Sequence, residues 1–498
     1  MKPIKWIVLF ALLPLAGCEF NQLAGSTGGY TVPSSSSAGA SSAMTAGTFT
    51  SSGNFATSSS PTSSSPTGSS VPELPDYTDP ATGVIYRGDA NGDVYWASGI
   101  DQTVASPIKI SLFGDINGIS VRGVSGGALS GQQNLTTVVL PDTYTEIQDF
   151  AFAVCPLLQD INLPADLSFF GQGVFSGCTA LASLSISSNN GNFKTSDDYR
   201  GLYSKDGTSL YAVAAANLTS FTVPSGVTWL SSYLFHEYSS LIEIVLPEGI
   251  SQIGTETFSC TGLRSIALPS TVSRIDGNPF RDCSQLCSFS FPKGNSFYGT
   301  DGASLYRRDS GCLLSFALIA VSGTYTIPRN ITSIGESAFE HAGITGVSFP
   351  NGLTGIEDRA FEESDLVSIE FPSSLTELGF MTFAFCSSLV SADLSRSALT
   401  SLPFETFAEN QKLETVTLPP AVTTLGIGCF QQDSKLGNMT LPKSVTSIQV
   451  SCFADDTGIG KLYFEGTIAD WSKVTLGQDW HARAGFTEVL CADGSVAL

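Results

Sequence analysis

Two successive stretches of the sequence decide the fold: LPDTYTEIQDFAFAVC (residues 140–155) and LPADLSFFGQGVFSGC (residues 163–178). Both begin with Leu-Pro and end with Cys, and their shared phenylalanines, Phe152 and Phe175, lie 23 residues apart. A fixed period of roughly 20 to 50 residues is typical of a repeat array. The recurring letters therefore predict a structural unit that is copied along the chain.

The phenylalanine position can be followed through most of the sequence. Its members are Leu129, Phe152, Phe175, Phe235, Phe258, Phe280, Phe339, Phe361, Phe383, Phe407, Phe430 and Phe453. Nine of the eleven intervals are 22, 23 or 24 residues, and the other two are 60 and 59. Each long interval equals one period plus an insertion of similar size, so the chain is predicted to be one array with two insertions.

A clear copy of the repeat, LVSIEFPSSLTELGFMTF (residues 366–383), shows what each unit contributes. Leu366, Ile369 and Phe371 are apolar, whereas Ser368 and Glu370 between them are polar. This alternation predicts a short strand with one buried face, which the following proline ends. A unit of about 23 residues cannot bury its own apolar face, so units must stack on a shared core. The predicted fold is a repeat solenoid of parallel β-strands, with short helical or irregular turns on the other side.

The repeat resembles the 23-residue leucine-rich repeat of the BspA-type bacterial surface proteins over about residues 112–464. Residues 464–495 also resemble the segment that often closes these arrays, and they contain Trp471 and Trp480. We therefore expect residues 465–498 to form a C-terminal cap, because large rings can cover the open end of a core. The resemblance implies a leucine-rich-repeat array that binds proteins, with adhesion to host matrix proteins or to other cells.

The insertions, near residues 189–217 and 293–325, are related to each other. GLYSKDGTSLYAV (201–213) and SLYRRDSGCLLSF (304–316) share a spaced pattern and predict two β-hairpins with Asp-Gly or Asp-Ser-Gly turns. A third hairpin within residues 81–111 would cover the N-terminal end. Tyrosine and arginine are common in binding interfaces, so the hairpins offer the possible partner-binding residues Tyr203, Tyr211, Tyr306, Arg307 and Arg308. The alternative is that the tyrosines cover the hairpin cores.

The N-terminus predicts export. Residues 1–17 combine two lysines with a short apolar run, as in a secretory signal peptide. Leu-Ala-Gly-Cys ending at Cys18 resembles a bacterial lipobox, which would make Cys18 the lipidated first residue of the mature protein and its link to a membrane. An ordinary signal or an uncleaved anchor is the alternative. Residues 18–80 follow as a tether, in which residues 34–70 hold 16 serines and cannot build a core.

Charge and motifs argue against several functions. With a net charge of −22 and only 23 Lys and Arg, the chain lacks the basic surface that nucleic acids need. The G-x-S-x-G match at residues 123–127 coincides with the repeat pattern, so it does not predict a nucleophile. Residues 89–93 begin like a calcium loop, but Val94 stands where glycine is required. We predict no enzyme, no metal, no cofactor and no small-molecule substrate.

Ten cysteines follow Cys18. Four of them, Cys155, Cys178, Cys283 and Cys386, stand three residues after the repeat phenylalanine. Because they keep the phase of the repeat, they are predicted to be small buried side chains rather than a disulfide framework. A bond between Cys155 and Cys178, in neighbouring units, stays open.

The polar positions of the predicted strands form a surface of small side chains without aromatic residues. This face is either a solvated surface or a broad platform for many weak contacts. The predicted function is a surface-displayed lipoprotein, in the bacterial outer membrane or on the cell surface, that binds other proteins. The alternative is a non-adhesive scaffold of the cell envelope or a self-associating surface component.

Overall fold

The computed structural model describes residues 74–101 and 109–498. The predicted signal peptide, Cys18 and most of the predicted tether lie outside the described residues. Each repeat of the described part makes one turn of a β-solenoid, so the predicted fold class is confirmed.

One strand of each turn stacks in parallel on its neighbours and forms what we call the first strand column. Residues 23 apart are paired, as Thr137 with Asp160 and Asp160 with Ser183. The strands are Lys109–Ser111, Thr137–Val139, Asp160–Asn162, Ser183–Ser185, Ser220–Thr222, Glu243–Val245, Ser265–Ala267, Ser288–Ser290, Gly323–Thr326, Ile344–Ser348, Ser368–Glu370, Ser391–Asp393, Thr415–Thr417, Met439–Leu441, Leu462–Phe464 and Glu488–Cys491, with Gly494–Ala497 antiparallel to the last. In most three-residue members the middle side chain is buried, as the alternation predicts.

A second strand column lies where the sequence predicts turns. It is built mostly from two-residue strands, paired in parallel as Glu146 with Phe169. Its strands are Ile119–Val124, Glu146–Ile147, Phe169–Phe170, Trp229–Leu230, Gln252–Ile253, Arg274–Ile275, Ser333–Ile334, Gly355–Ile356, Glu377–Leu378, Ser401–Leu402, Thr424–Leu425, Ser447–Ile448 and Thr475–Leu476. Turns away from the insertions therefore have two stacked strand segments and a turn segment that carries the repeat phenylalanine.

The phenylalanine rings stack inside the turn segments. Between Phe339 and Phe361 the ring centroids are 4.7 Å apart and the planes differ by 8°, and the stack continues through Phe383 with a spacing of 5.3 Å. These rings are fully buried. The position that the period identifies is thus the centre of the core.

The two insertions are β-hairpins, as predicted, and they interrupt the second strand column. Gly201–Ser204 pairs antiparallel with Ser209–Val213, whose Ser209 then pairs in parallel with Trp229. The second insertion repeats this arrangement. Strands of the insertions and of the N-terminal region are Tyr77–Thr78, Val84–Gly88, Tyr95–Ile100, Asp115–Ile116, Phe193–Thr195, Gly201–Ser204, Ser209–Val213, Tyr298–Thr300, Ser304–Arg307 and Cys312–Phe316.

The hairpins also divide the core. Buried apolar side chains form three clusters, which extend over residues 84–214, 203–317 and 313–489. The boundaries between clusters fall within the two hairpins. Each hairpin therefore ends one hydrophobic core and begins the next.

Elements outside the repeat pattern lie next to the first and the last described turns. The hairpin of Val84–Gly88 and Tyr95–Ile100 precedes the first turn, and Tyr95 pairs with Val121 of that turn. At the other end Trp480 packs edge-on against the last stacked phenylalanine, Phe453, with ring centroids 6.1 Å apart.

Within the described residues the one α-helix is Ile468–Trp471, and no helix there has the length and apolar character of a membrane span. The ten cysteines from Cys155 to Cys491 are all free thiols. Cys155 and Cys178 are buried, and each donates to the carbonyl oxygen at the phenylalanine position of the preceding turn.

Candidate interaction surfaces

The face of the first strand column is polar and shallow, as its sequence indicates. Neighbouring side chains bond to each other along the column, for example Ser183 Oγ to Asp160 Oδ1 at 2.9 Å. Val139 and Val245, each about half exposed, and Tyr463, which is 37% exposed, are isolated apolar exceptions. Isolated surface apolar residues are normal, so this face presents no concentrated binding surface.

The tyrosines of the first hairpin are packing residues. Tyr203 is only 6% exposed and belongs to the second core cluster. Tyr211 packs edge-on between Phe193 and Trp229, with ring centroids 5.4 Å from each. The positions of both tyrosines agree with the alternative interpretation, that they cover the hairpin core. Tyr203 offers no surface to a partner.

In the second hairpin the predicted partner-binding residues mainly make contacts that stabilise the hairpin itself. The Tyr306 ring lies against Gly299, where an added Cβ would be 2.5 Å from the ring. Arg307 Nη2 donates to the Ile275 carbonyl at 2.7 Å, and Arg308 Nε donates to the Tyr298 carbonyl at 2.7 Å. Both arginines therefore already have backbone acceptors.

Arg307 also reaches a cleft of about 270 Å³ beside the hairpin. The lining residues are Ser273, Arg274, Asp276, Phe297, Tyr298, Arg307 and Asp309, and Phe297 is half exposed. Basic and acidic side chains are mixed in this cleft. Of the five predicted residues, only Arg307 contributes to it.

A cleft that the sequence did not reveal lies on the second strand column. It has a volume of about 360 Å³ and is lined by Ser333, Glu336, Thr354, Gly355, Ile356, Glu357, Asp358, Glu377, Leu378 and Gly379. Four of the lining side chains are carboxylates and none is basic. We call this the acidic cleft.

The acidic cleft has space at Gly355, because the outward-facing residue of this second-column strand is a glycine and carries no side chain. A Cβ built on Gly355 would meet only Glu377 Cβ, at 4.0 Å. The neighbouring turns carry Ser333 and Glu377 in the paired positions. One missing side chain thus creates a gap between two turns.

The carboxylates of the acidic cleft influence one another. Partial burial, followed by the charge of Asp358, raises the pKa of Glu336, although Arg281 and Arg359 act in the opposite direction. Glu357 also accepts a hydrogen bond from the Glu336 backbone N–H at 3.1 Å. The cleft therefore concentrates negative charge that positive groups could stabilise.

An apolar stripe begins where the acidic cleft ends. Its members, Phe380, Phe404, Ile427 and Val450, each stand three residues before a repeat phenylalanine. Phe380 is 55% exposed, Ile427 42% and Val450 41%, and the Phe380 and Phe404 rings are 6.4 Å apart. Large apolar side chains at this position in successive turns form a continuous row, in which Phe404 is half-buried and the other three members are exposed.

Backbone hydrogen bonds fix the order of the stripe. The Met381 N–H donates to the Phe404 carbonyl at 2.9 Å, and the equivalent bonds from Glu405 and Gly428 reach the carbonyls of Ile427 and Val450. One turn earlier, the Arg359 N–H donates to the Phe380 carbonyl. The stripe residues consequently follow Asp358, which lines the acidic cleft, in one column.

An ionic cluster, buried at Arg281 and Glu340 and exposed at His341 and Glu363, joins the turns on either side of the second insertion. Arg281 Nε and Nη2 each donate to a carboxylate oxygen of Glu340 at 2.6 Å. His341 bonds through Nδ1 to Asp282 and approaches Glu363 through Nε2 at 3.2 Å, and these two hydrogen bonds raise the pKa of His341 to about 10. These ionic contacts therefore hold the turns on the two sides of the insertion together.

Asp282, Glu340 and His341 have ligand atoms close enough together to hold a metal ion. However, the Arg281 guanidinium already contacts both oxygens of Glu340 and supplies the positive charge that a cation would bring. The residues fit a salt-bridge network better than a metal site.

Comparison with known proteins agrees with the fold. The sequence pattern of a family described as "BspA type Leucine rich repeat region (6 copies)" matches residues 116–197, 208–301, 320–426 and 368–475, more than half of the chain. No curated protein matches the chain in sequence.

Several solved structures are similar to the chain. A leucine-rich repeat protein from Eubacterium ventriosum is 16% identical, with a TM-score of 0.50 over 81% of this chain and 93% of its own. A leucine rich cell surface protein from Faecalibacterium prausnitzii is 21% identical, with a TM-score of 0.47 over 82% and 99%. The pneumococcal vaccine antigen PcpA is 14% identical, with a TM-score of 0.43 over 83% and 98%.

Proposed function

Because the chain belongs to the BspA-type leucine-rich-repeat family, we propose that it is an exported protein displayed at the bacterial surface, where it binds other proteins. The observation that carries this proposal is the apolar stripe beside the acidic cleft. A continuous exposed apolar row marks an interaction site more often than isolated residues do. Adhesion to host matrix proteins or to other cells is the finer form of the proposal.

The N-terminal sequence supports display. A signal peptide over residues 1–17 would direct export, and a lipid on Cys18 would hold the protein on a membrane. Residues 18–80 would then act as a flexible tether that lets the array reach a partner.

The alternative, a scaffold that associates with itself, is less well supported. The chain carries a net charge of −22, so two copies repel each other. Hairpins at the two ends of the array oppose stacking of one copy on another.

Binding can be tested with the purified full-length chain against a panel of matrix proteins and against itself at physiological salt. We expect saturable binding to at least one foreign protein, and we expect protease added to intact cells to degrade the chain. Self-association alone, or full protection on intact cells, would contradict the proposal.

Replacing the predicted lipidation site tests the route to the surface. We expect Cys18→Ser to abolish incorporation of a radiolabelled fatty acid and to move the protein from the membrane fraction to the soluble fraction. Cys491→Ser, at a partly exposed cysteine of the C-terminal cap, should change neither result. Unchanged labelling of Cys18→Ser would show that the cysteine carries no lipid.

A further inference from the structure

We propose that the acidic cleft and the apolar stripe form one docking site for a protein segment with apolar side chains at one end and lysine or arginine at the other. This inference rests on the proposed protein-binding function and specifies the chemistry of the partner.

The stripe supplies the apolar half of the site. Its four members lie on successive turns, so at about 4.8 Å per turn they extend over roughly 14 Å. Phe380 and Ile427 are only about half covered by the protein itself. A partner that removes these side chains from water gains favourable hydrophobic free energy.

The cleft supplies the charged half, and the two halves are continuous. Gly379 lines the cleft and is followed directly by Phe380, the first residue of the stripe. Asp358 lines the cleft and also accepts, through Oδ1, a hydrogen bond from the Phe380 N–H at 2.7 Å. The surface therefore changes from acidic to apolar in one direction along the stack of turns.

Charge complementarity identifies the occupant. Glu336, Glu357, Asp358 and Glu377 face the cleft without a basic lining residue, so lysine or arginine side chains would neutralise them. A second copy of this chain would bring further negative charge. A divalent cation alone would leave the stripe exposed, and anionic lipid would be repelled by the carboxylates.

The docking site can be tested with fluorescently labelled 14-residue peptides and the full-length chain, by fluorescence anisotropy. One peptide has a leucine-rich half and a lysine-rich half; the second replaces lysine by glutamate, and the third replaces leucine by serine. We expect the leucine–lysine peptide to bind and the other two to bind at least tenfold more weakly. Raising the salt concentration should weaken binding, because the cleft contributes through charge.

Two variants test the halves separately. Phe380→Ser removes a stripe side chain, and Gly355→Lys places a positive charge in the acidic cleft, where the added side chain meets open space. Each should weaken binding at least tenfold. Val245→Ser and Glu370→Lys make the matched changes on the exposed face of the first strand column and should leave the affinity within twofold.

Several outcomes would overturn the docking site. These are equal affinity for all three peptides, unchanged binding by both test variants, or binding confined to calcium ions or to phosphatidylcholine vesicles. If a natural protein partner binds the wild-type chain and Phe380→Ser equally, the docking site is wrong while the proposed function stands. If the wild-type chain binds no foreign protein, the proposed function itself is wrong.

Discussion

At the scale of single residues, the repeat depends on backbone conformations that the residue types do not indicate. Residues two positions before and two positions after the repeat phenylalanine have positive φ in turn after turn, and most are not glycine, for example Met381 at 54° and Phe385 at 59°. In this conformation their N–H groups donate to carbonyls of the next turn, as Met381 does to Phe404. A positive φ costs a non-glycine residue conformational free energy. In most turns the same residue also forms an inter-turn backbone hydrogen bond.

Two glycines in the same repeat position should respond differently to alanine. Gly173 and Gly428 have φ values of 58° and 60°, but a Cβ on Gly173 would lie 2.5 Å from the Phe150 ring. At Gly428 the nearest atoms, 3.1 Å away, belong to the flexible side chains of Gln431 and Glu405. We expect Gly428→Ala to cost about 1–2 kcal/mol and Gly173→Ala about 1–3 kcal/mol more. Denaturant unfolding measures both, and equal losses would show that the ring contact does not matter.

In several turns the residue three positions after the phenylalanine donates a side-chain hydrogen bond to a backbone carbonyl. Cys386 Sγ donates to the Phe361 carbonyl at 3.1 Å, and Asn410 Nδ2 donates to the Phe383 carbonyl at 3.0 Å. Asp433 and Asp456 occupy this position in the next turns, fully buried, each with Oδ2 lacking a hydrogen bond. A protonated Oδ2 would supply the donor that the cysteine and the asparagine supply.

Replacing Asp433 by asparagine should therefore stabilise the protein at neutral pH. Burial, and then the charge of Asp456, raises the pKa of Asp433 well above its usual range. The folded state keeps a proton that the unfolded state releases above about pH 4, so stability is greatest below that pH and falls as the pH rises through the folded pKa. We expect Asp433→Asn to gain about 1–3 kcal/mol at pH 7.5 and little at pH 4.

Denaturant unfolding of Asp433→Asn at the two pH values gives the comparison. Other ionisable groups that act on this pair, Cys429, Glu409 and Asp455, are unchanged in the variant. Asp365→Asn, at an exposed site, is the control and should show no such gain. A loss of stability in Asp433→Asn at pH 7.5 would mean that the ionised carboxylate is the native form.

At the scale of elements, each hairpin insertion lies between two turns whose repeat phenylalanines are consecutive in the repeat pattern. On the C-terminal side of the second insertion, Phe316 of the hairpin stacks on Phe339 with a centroid distance of 4.7 Å. On the turn side, the Arg281–Glu340 pair links residues 59 apart in sequence. The insertion is thus held by apolar stacking and by a buried ion pair.

Breaking that ion pair from one side should be costly. Arg281→Met leaves the buried Glu340 carboxylate without its partner, and we expect a loss of about 3–5 kcal/mol. The double variant Arg281→Met with Glu340→Met should recover much of the loss in denaturant unfolding. Arg274→Met, which breaks an exposed pair with Asp276, should cost about 1 kcal/mol or less. A double variant no more stable than Arg281→Met would contradict this role.

The elements differ in how far the sequence predicted them. The first strand column and the hairpins were predicted correctly, since apolar–polar alternation and Asp-Gly turns are local signals. Two-residue strands such as Gly355–Ile356 are too short for alternation to show, so the second strand column was missed. The apolar stripe was missed because Phe380 and Phe404 lie 24 residues apart and only their common offset from the phenylalanine reveals the row.

At the scale of the whole molecule, three hydrophobic cores share one array. A tryptophan reports on each: Trp96 contacts Arg122 near the first core, Trp229 packs on Tyr211 between the first and second, and Trp480 lies in the third. Stability in a repeat array is the sum of local and nearest-neighbour contributions. The cores can therefore differ in stability.

A change in one core should stay local. Phe361→Ala removes a ring from the third core and should cost about 3–5 kcal/mol there. The test uses chains in which either Trp96 or Trp480 is the one tryptophan that is kept. We expect Phe361→Ala to lower the denaturant midpoint that Trp480 reports and to leave unchanged the midpoint that Trp96 reports. Equal shifts at both probes would show a single cooperative unit.

The shortness of the strands has a mechanical consequence. The strand ladders that join successive turns are mostly only two or three residues long, as between Glu146–Ile147 and Phe169–Phe170, and a few backbone hydrogen bonds of the turn segments add to them. Tension between the two ends of the array loads these ladders one after another, so the terminal turns peel away singly. Each released turn of about 23 residues adds roughly 75 Å of extended chain. The array therefore lengthens in steps under load, and the turns that remain stacked keep their surface intact.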